Sequence, residues 1–210
     1  MSLVRPNVRA QGMTRPAAPG DLLALGEKIA TLTTAGSGTI TAAQLSSGIL
    51  IRTGPTGAYT DTTCTAALLM AALPDASPGD TFRFRHTNTV AYKMTLAGGT
   101  GCTLGTVPAT TIEASVWKDY LVTLTNTTPA TTVTCTIVNG TKVITGMTLA
   151  QTSAISVGQL VTGTGAGASA VVLSIQPGTG VTVDVNSSAD NTAASLTFSP
   201  TYRIDAITMG

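Results

Sequence analysis

Residues 81–87, TFRFRHT, alternate between large apolar and basic side chains with a period of two. This is the period of a β-strand, because successive side chains of a strand point to opposite faces of a sheet. The two phenylalanines are therefore expected on a core face, with Arg83 and Arg85 on the outer face. If these arginines have a further role, a salt bridge across a subunit contact fits them better than RNA.

The composition extends this β prediction to the whole chain. Threonine accounts for 41 of the 210 residues, and its β-branched side chain favours strands. With 43% hydrophobic residues, the chain can bury one sizeable core or two small ones. The sequence predicts a mainly β protein with two small sandwich-like or barrel-like domains, the first containing one buried helix, preceded by an extended N-terminal arm.

The N-terminal segment, residues 1–20, contains three prolines, three arginines and no acidic residue. Its proline content disfavours a regular helix and favours an extended course. It is either a solvated terminus or an arm that becomes ordered on a neighbouring molecule, where Arg5, Arg9 and Arg15 pair with carboxylates. Residues 21–32 have leucine and isoleucine at helical spacing, so the arm is assigned to residues 1–30 with a possible short helix.

The first domain is assigned to residues 31–128. A helix is expected over about residues 62–73, where CTAALLMAAL carries no charge on any side and Pro74 ends the pattern. A helix that is apolar all round needs cover from a sheet or a partner subunit. Beside residues 81–87, strands are expected over residues 47–53, 91–96, 110–116 and 119–126.

The second domain is assigned to residues 129–210, where aromatic residues and charges become rare. Short β-branched runs recur between glycine-containing turns at spacings of roughly ten residues, which is typical of a small sandwich or barrel. These runs are residues 133–138, 142–145, 159–162, 170–175, 181–185 and 195–198. Residues 200–210 predict a last strand that returns to the first domain or pairs with a neighbouring chain.

The charge pattern and the motifs argue against several functions. A net charge of +1 disfavours nucleic-acid binding, and no apolar run is long enough to cross a membrane or to resemble a signal peptide, so a chain made in a cytoplasm is expected. The only histidine, His86, has no nucleophile motif beside it and is interpreted as structural. Residues 163–168 fit a dinucleotide glycine pattern but precede a β-branched run instead of a helix. The sequence therefore predicts no enzyme, no cofactor and no metal site.

The three cysteines, Cys64, Cys102 and Cys135, form no C-x-x-C pair, so a zinc site is not indicated. An intramolecular disulfide would leave one cysteine over. They are interpreted as reduced, buried thiols that pack as small apolar groups. The alternative is an intersubunit disulfide that forms after assembly.

Two segments resemble proteins of tailed bacteriophages. Residues 41–74, TAAQLSSGILIRTGPTGAYTDTTCTAALLMAALP, followed by PGDTFRFRHTNT and a later LAGGTG loop, resemble head decoration, or cement, proteins. Residues 140–199, which begin GTKVITGMTLAQ, are similar to a small β-module of phage virion and tail-fibre proteins. Together these segments cover about 60% of the chain.

The resemblance implies a virion structural protein that binds the outside of the capsid, commonly as a homotrimer, and strengthens the shell. Its partners would be the major capsid protein and further copies of itself, with Arg83, Arg85 and the three cysteines as possible intersubunit contacts. The alternative is a fibre or adhesin subunit that binds a host-surface glycan. That role favours exposed aromatic residues in the second domain, which contains only Phe198 within residues 129–200.

Overall fold

The computed structural model describes residues 28–105 and 110–207, and the chain divides into two compact units. The first unit runs to Thr125 and resumes at Tyr202, while the second spans Asn126–Thr201. The second unit thus begins before the expected boundary at residue 129. Residues 202–207, assigned from the sequence to the second domain, belong to the first unit, so the expected last strand returns to the first domain.

The described residues form sixteen strands and three helices, numbered here in chain order. The strands are β1 (Lys28–Leu32), β2 (Gly38–Ile40), β3 (Gly48–Arg52), β4 (Tyr59–Thr63), β5 (Thr81–Asn88), β6 (Met94–Ala97), β7 (Cys102–Leu104), β8 (Thr111–Ile112), β9 (Trp117–Asn126), β10 (Thr131–Ile137), β11 (Val143–Thr145), β12 (Leu160–Thr162), β13 (Ala170–Gln176), β14 (Gly180–Val183), β15 (Asn191–Ser199) and β16 (Thr201–Ala206). The helices are α1 (Ala42–Leu45), α2 (Ala66–Ala72) and α3 (Leu149–Ser153). The mainly β fold is confirmed.

The first unit consists of two sheets through which the chain passes alternately. The six-stranded sheet has the order β1-β3-β5-β9-β16-β7, and the four-stranded sheet has the order β2-β4-β6-β8. Neighbours are parallel along β1, β3 and β5, and also along β2, β4 and β6. The chain therefore completes three turns of a coil, each with one strand in each sheet, before β8 and β9 pair antiparallel with the last turn.

The two sheets share a single hydrophobic core, as expected of a sandwich. In β5, Phe82 and Phe84 lie in this core while Arg83 points outward, so the alternation of residues 81–87 gives the correct faces. Phe84 stacks on Tyr120 of the adjacent β9, with ring centroids 5.6 Å apart. The central strand of the larger sheet is thus fixed by aromatic packing on its inner side.

One local expectation for the first unit is wrong, and a second holds with shorter bounds. Residues 28–32 form strand β1 instead of the end of a helix or arm, because β1 pairs along its full length with β3, and this tertiary pairing overrides helical spacing. Helix α2 is shorter than expected, since residues 59–63 form β4, and it is covered on one side only. Ala66, Leu69 and Met70 are buried, whereas Leu68 is 60% exposed. The unit also contains a second helix, α1.

A buried arginine holds the turns of the coil together. Arg52, at the end of β3, is fully buried, and its Nε donates to Oδ2 of Asp61 at 2.8 Å. Its guanidinium also lies over the ring of Tyr59, 4.8 Å from the centroid. The remaining nitrogens donate to backbone carbonyl oxygens, those of Leu32, Thr34, Gly36 and Thr53. One side chain thus donates hydrogen bonds to the carbonyl groups of the segment between β1 and β2, and it also joins the two sheets.

Replacing this arginine should destabilise the protein strongly. We expect Arg52→Ala to lower the free energy of unfolding by about 3–5 kcal/mol, because it leaves the Asp61 carboxylate buried without its cation. Arg203→Ala is the matched control, since Arg203 pairs with Asp205 at the surface and its loss should cost about 1 kcal/mol or less. Urea unfolding of both variants measures the difference, and equal losses would contradict the assigned role.

The second unit is a closed barrel with the strand order β10-β11-β14-β13-β12-β15, in which β15 pairs back with β10. The paired strands are antiparallel, and valine, isoleucine and leucine side chains fill the interior together with Phe198. The expected second β-domain is therefore a barrel. The first and last residues of this unit lie close together, because Asn126 Nδ2 donates to the Val157 carbonyl and Thr201 Oγ1 donates to the adjacent Gly158 carbonyl.

A barrel with its own core and adjoining ends should fold without the rest of the chain. We expect a fragment of residues 126–201 to unfold cooperatively and to give a dispersed amide NMR spectrum, because closure leaves no unpaired sheet edge. The same fragment carrying Leu196→Asp, a charge in the barrel interior, provides the unfolded reference. A fragment spectrum that matches this reference would show that the barrel depends on the first unit.

Candidate contact surface on the six-stranded sheet

The side of the six-stranded sheet that faces away from the core carries several uncovered apolar side chains. Ile29 of β1 is 68% exposed and lies beside Ile49 of β3, and Ile51 follows on the same side of β3. Both β3 isoleucines are half-buried, because neighbouring strands flank them and no layer of described residues lies above them. We call this side, made by Ile29, Ile49, Ile51, Arg83, Arg85, Trp117, Asp119 and Leu121, the outer face.

An arginine, an aspartate and a tryptophan form the centre of the outer face. Arg85 donates from Nε and Nη2 to the two carboxylate oxygens of Asp119, at 2.7 and 2.9 Å, across the β5–β9 pair. The same guanidinium lies 3.9 Å from the centroid of the Trp117 ring, which is 39% exposed. A bidentate pair stacked on an aromatic ring is held in one geometry. The face therefore has a rigid, charge-balanced centre beside its isoleucines.

The loop before β9 positions the tryptophan. The backbone N–H of Asn88 donates to the Val116 carbonyl at 2.9 Å, and the backbone N–H of Ser115 donates to the Val90 carbonyl at 3.1 Å. Ser115 has a φ of 57°, which is uncommon for a residue with a side chain. These bonds fix the loop against the end of β5, so Trp117 enters β9 on the outer side.

The sequence-predicted arginines of β5 therefore have different surroundings. Arg83 is exposed and lies opposite Leu121 of β9. Arg85 is half-buried and already has its carboxylate partner within the chain. A partner subunit that contacts β5 would thus face Arg83, which is exposed, and Arg85, whose charge is already balanced by Asp119. Arg5, Arg9 and Arg15 lie outside the described residues.

His86 points to the opposite side of β5, into the core. Its side chain is fully buried, and Nε2 lies 3.4 Å from Oδ2 of the same Asp61 that pairs with Arg52. Asp61 Oδ1 also accepts from the Gly38 amide at 3.0 Å. Among the residues that the structure describes, neither imidazole nitrogen has a hydrogen-bond partner. A base at this position cannot reach a substrate at the surface, so the geometry supports a structural histidine.

All three cysteines are free thiols, and the side chains of two of them are buried. Cys64 and Cys135 are each 2% exposed, which agrees with their interpretation as buried thiols, and an intersubunit contact through either of them would require the fold to open. Cys102 is partly exposed and remains a possible contact. Burial raises the pKa of Cys64 and of Cys135 to about 11, and it also raises the pKa of Cys102.

The surroundings of Cys64 depend on a close backbone approach. The Tyr202 hydroxyl donates to the Cys64 carbonyl at 2.7 Å and lies 2.8 Å from Thr63 Oγ1. The Gly99 amide donates to the same threonine oxygen, and a Cβ on Gly99 would collide with the Thr63 carbonyl. The glycines of the loop before β7 therefore allow close packing, and Tyr202 ties the C-terminal strand to the first unit.

The thiols should be protected in the folded protein. At pH 8, a pKa of about 11 leaves about one Cys64 or Cys135 thiol in a thousand ionised, and the thiolate is the reactive form. We expect iodoacetamide to label only Cys102 in the native chain, slowly and faster as the pH rises, and all three cysteines in urea. Peptide mass spectrometry measures this, with Cys102→Ser as the control. Native labelling of Cys64 or Cys135 would contradict the assigned burial.

Other candidate motifs have ordinary structural explanations. The glycine pattern at residues 163–168 connects β12 to β13, so no helix follows it. Within residues 28–105 and 110–207, no group of three or more histidine, cysteine, aspartate or glutamate side chains is placed to bind a metal ion. In the same part of the chain, no helix is long and apolar enough to span a membrane.

Comparisons with protein-family models, curated protein sequences and solved structures found no match for the chain. The outer face is therefore characterised by its own geometry.

Sequence reasoning found one strand of the outer face and missed its extent. Residues 81–87 predict the faces of Arg83 and Arg85 correctly, but residues 21–32 predict an arm or a short helix at Ile29, and residues 47–53 predict a strand without fixing the face of its isoleucines. Trp117 fell between two expected strands. The sequence signal is the single tryptophan two residues before the expected strand 119–126, and it becomes informative only once the β5–β9 register is known.

Proposed function

We propose that the protein is a virion structural protein that binds the outer capsid surface and stabilises the shell. The observation that carries this proposal is the outer face, because its isoleucines, tryptophan and arginine indicate a protein that acts by assembling with other protein chains, while the arm of residues 1–20 is the segment expected to bind the capsid. Tryptophan, tyrosine and arginine are the residue types that contribute most to protein–protein binding energy. The resemblance to decoration proteins supplies the partners, namely the major capsid protein and further copies of this chain in a trimer.

The charge distribution supports a protein partner. The two described arginine–aspartate pairs on the outer side of this sheet, Arg85–Asp119 and Arg203–Asp205, are satisfied within the chain, and the net charge is +1. A nucleic acid would select a broad basic surface with unpaired cations. Apolar side chains around a neutralised centre instead resemble the core of a protein interface, where charged residues are depleted.

The glycan-binding alternative finds less support. Sugar recognition commonly stacks aromatic rings on the ligand, and we expected such rings in the second domain if the chain were a fibre or adhesin. Within Asn126–Thr201, all of which the structure describes, Phe198 is the only aromatic residue and is fully buried in the barrel. We therefore propose the capsid role alone.

The proposed function can be tested by locating the chain in virus particles and by altering its N-terminal segment. Electron microscopy of capsids incubated with the purified protein should show added density at three-fold or quasi-three-fold positions. Deleting residues 2–20 should reduce capsid binding at least tenfold while the protein remains folded, because the arm is expected to pair its arginines with capsid carboxylates.

The matched variants change Arg5, Arg9 and Arg15 together, either to glutamine or to lysine. The glutamine variant should lose binding, whereas the lysine variant, which keeps the charge, should retain most of it. Density confined to the tail would favour the fibre hypothesis. Unchanged binding after the deletion would remove the arm from the proposal.

A further inference from the structure

A second uncovered apolar surface lies on helix α2. Its inner side packs into the core through Ala66, Leu69 and Met70, while Leu68 is 60% exposed and Ala71 and Ala72 are also exposed. The helix sequence, AALLMAA, has no charged or polar side chain. Exposed apolar helix surfaces of this kind are usually covered by a partner, because they gain free energy when removed from water.

The outer face and α2 cannot cover each other within one chain. Helix α2 packs against the core, which lies on the inner side of the six-stranded sheet. The outer face lies on the other side of that sheet, so the sheet itself separates the two surfaces. Contact between them requires a second copy.

We propose that α2 of one copy packs on the outer face of the next copy. Leu68 inserts among Ile29, Ile49 and Ile51, and the small Ala71 and Ala72 allow the helix to lie close to the sheet. This inference deepens the proposed function and rests on it for the expectation that the protein assembles with itself. It assigns the residues on both sides of the copy-to-copy contact.

Helix α2 and the outer face are complementary, because both are apolar and neither brings an unpaired charge to the centre of the contact. The helix brings no charge, and Arg85 in the face already holds Asp119, so the contact strands no unpaired ion at its centre. Burying an unpaired charge would cost several kcal/mol, and this arrangement avoids that cost. Arg83 lies beside Leu121, where its guanidinium can remain at the wet rim of the contact.

The contact joins different surfaces of the two copies, so it is heterologous. A heterologous contact builds a closed ring when its rotation closes and an open filament when it does not. Every copy in a ring uses both its α2 and its outer face. A closed ring is the arrangement that agrees with the trimer implied by the resemblance to decoration proteins.

Disulfide trapping tests the pairing directly. In a Cys102→Ser background, Leu68→Cys is combined in turn with Ile29→Cys, Ile49→Cys or Ile51→Cys, and the protein is oxidised with copper phenanthroline. At least one combination should give covalent oligomers on non-reducing electrophoresis, and mixing the corresponding single variants should give only dimers. Leu173→Cys, which is 54% exposed on the barrel, replaces Leu68→Cys in the control. Trapping no stronger than this control would overturn the proposal.

Light scattering of the full chain without capsids gives the second test. Leu68→Glu should weaken self-association at least tenfold, because it introduces a charge at the centre of an apolar contact, whereas Leu149→Glu, at an equally exposed position on α3, should not. Trp117 is the only tryptophan, so its fluorescence should shift to longer wavelength on dilution of the wild type and remain constant in Leu68→Glu. A monomeric wild type over the whole concentration range would overturn the proposal.

These measurements separate this inference from the proposed function. Self-association is measured on the purified chain, whereas capsid binding is measured on particles. Normal self-association through α2 and the outer face without capsid binding would remove the capsid role alone. Capsid binding by a chain that does not self-associate would remove the copy-to-copy contact alone.

Discussion

The first unit depends on the buried guanidinium of Arg52. A chain that passes from one sheet to the other in every turn must expose backbone carbonyl groups in its short connections, and these groups need donors once they are buried. Arg52 supplies donors to four such carbonyl groups, and its ion pair with Asp61 bridges β3 and β4, which belong to different sheets. His86 of the next turn packs beside the same carboxylate, so three strands from two sheets meet at one polar centre.

Because charged residues are scarce outside this centre, much of the polar surface is made by uncharged side chains. Threonine provides the polar groups instead: it caps the N-terminus of all three described helices, through Thr41, Thr65 and Thr148, and Thr132 and Thr197 bond across two barrel strands at 2.8 Å. A hydroxyl can be satisfied by one neighbour at a much lower desolvation cost than an ion. Sheets covered in this way can lie against other proteins without burying unpaired charges, which agrees with a protein that acts through contact.

The two units differ in whether their sheets have edge strands with unpaired backbone groups. The barrel closes on itself and leaves no edge, so its short strands need no further partner. The sheets of the first unit stay open, and the apolar side chains of β1 and β3 remain uncovered on the outer side. The exposed aromatic residues, Tyr92 and the only tryptophan, lie in this open unit. The barrel carries its single aromatic residue inside.

The sequence by itself determined the mainly β class, the faces of β5, the six barrel strands and the position of α2, because these follow from local periodicity and from turn residues. It could not determine that residues 28–32 form a strand, since their apolar spacing also fits a helix and the pairing with β3 decides between the two. The parallel coil, the Arg52–Asp61–His86 centre and the Arg85–Asp119–Trp117 stack were decided by the tertiary structure alone. Their members are separated in the chain and become neighbours only through strand register, and local sequence does not encode which strand lies beside which.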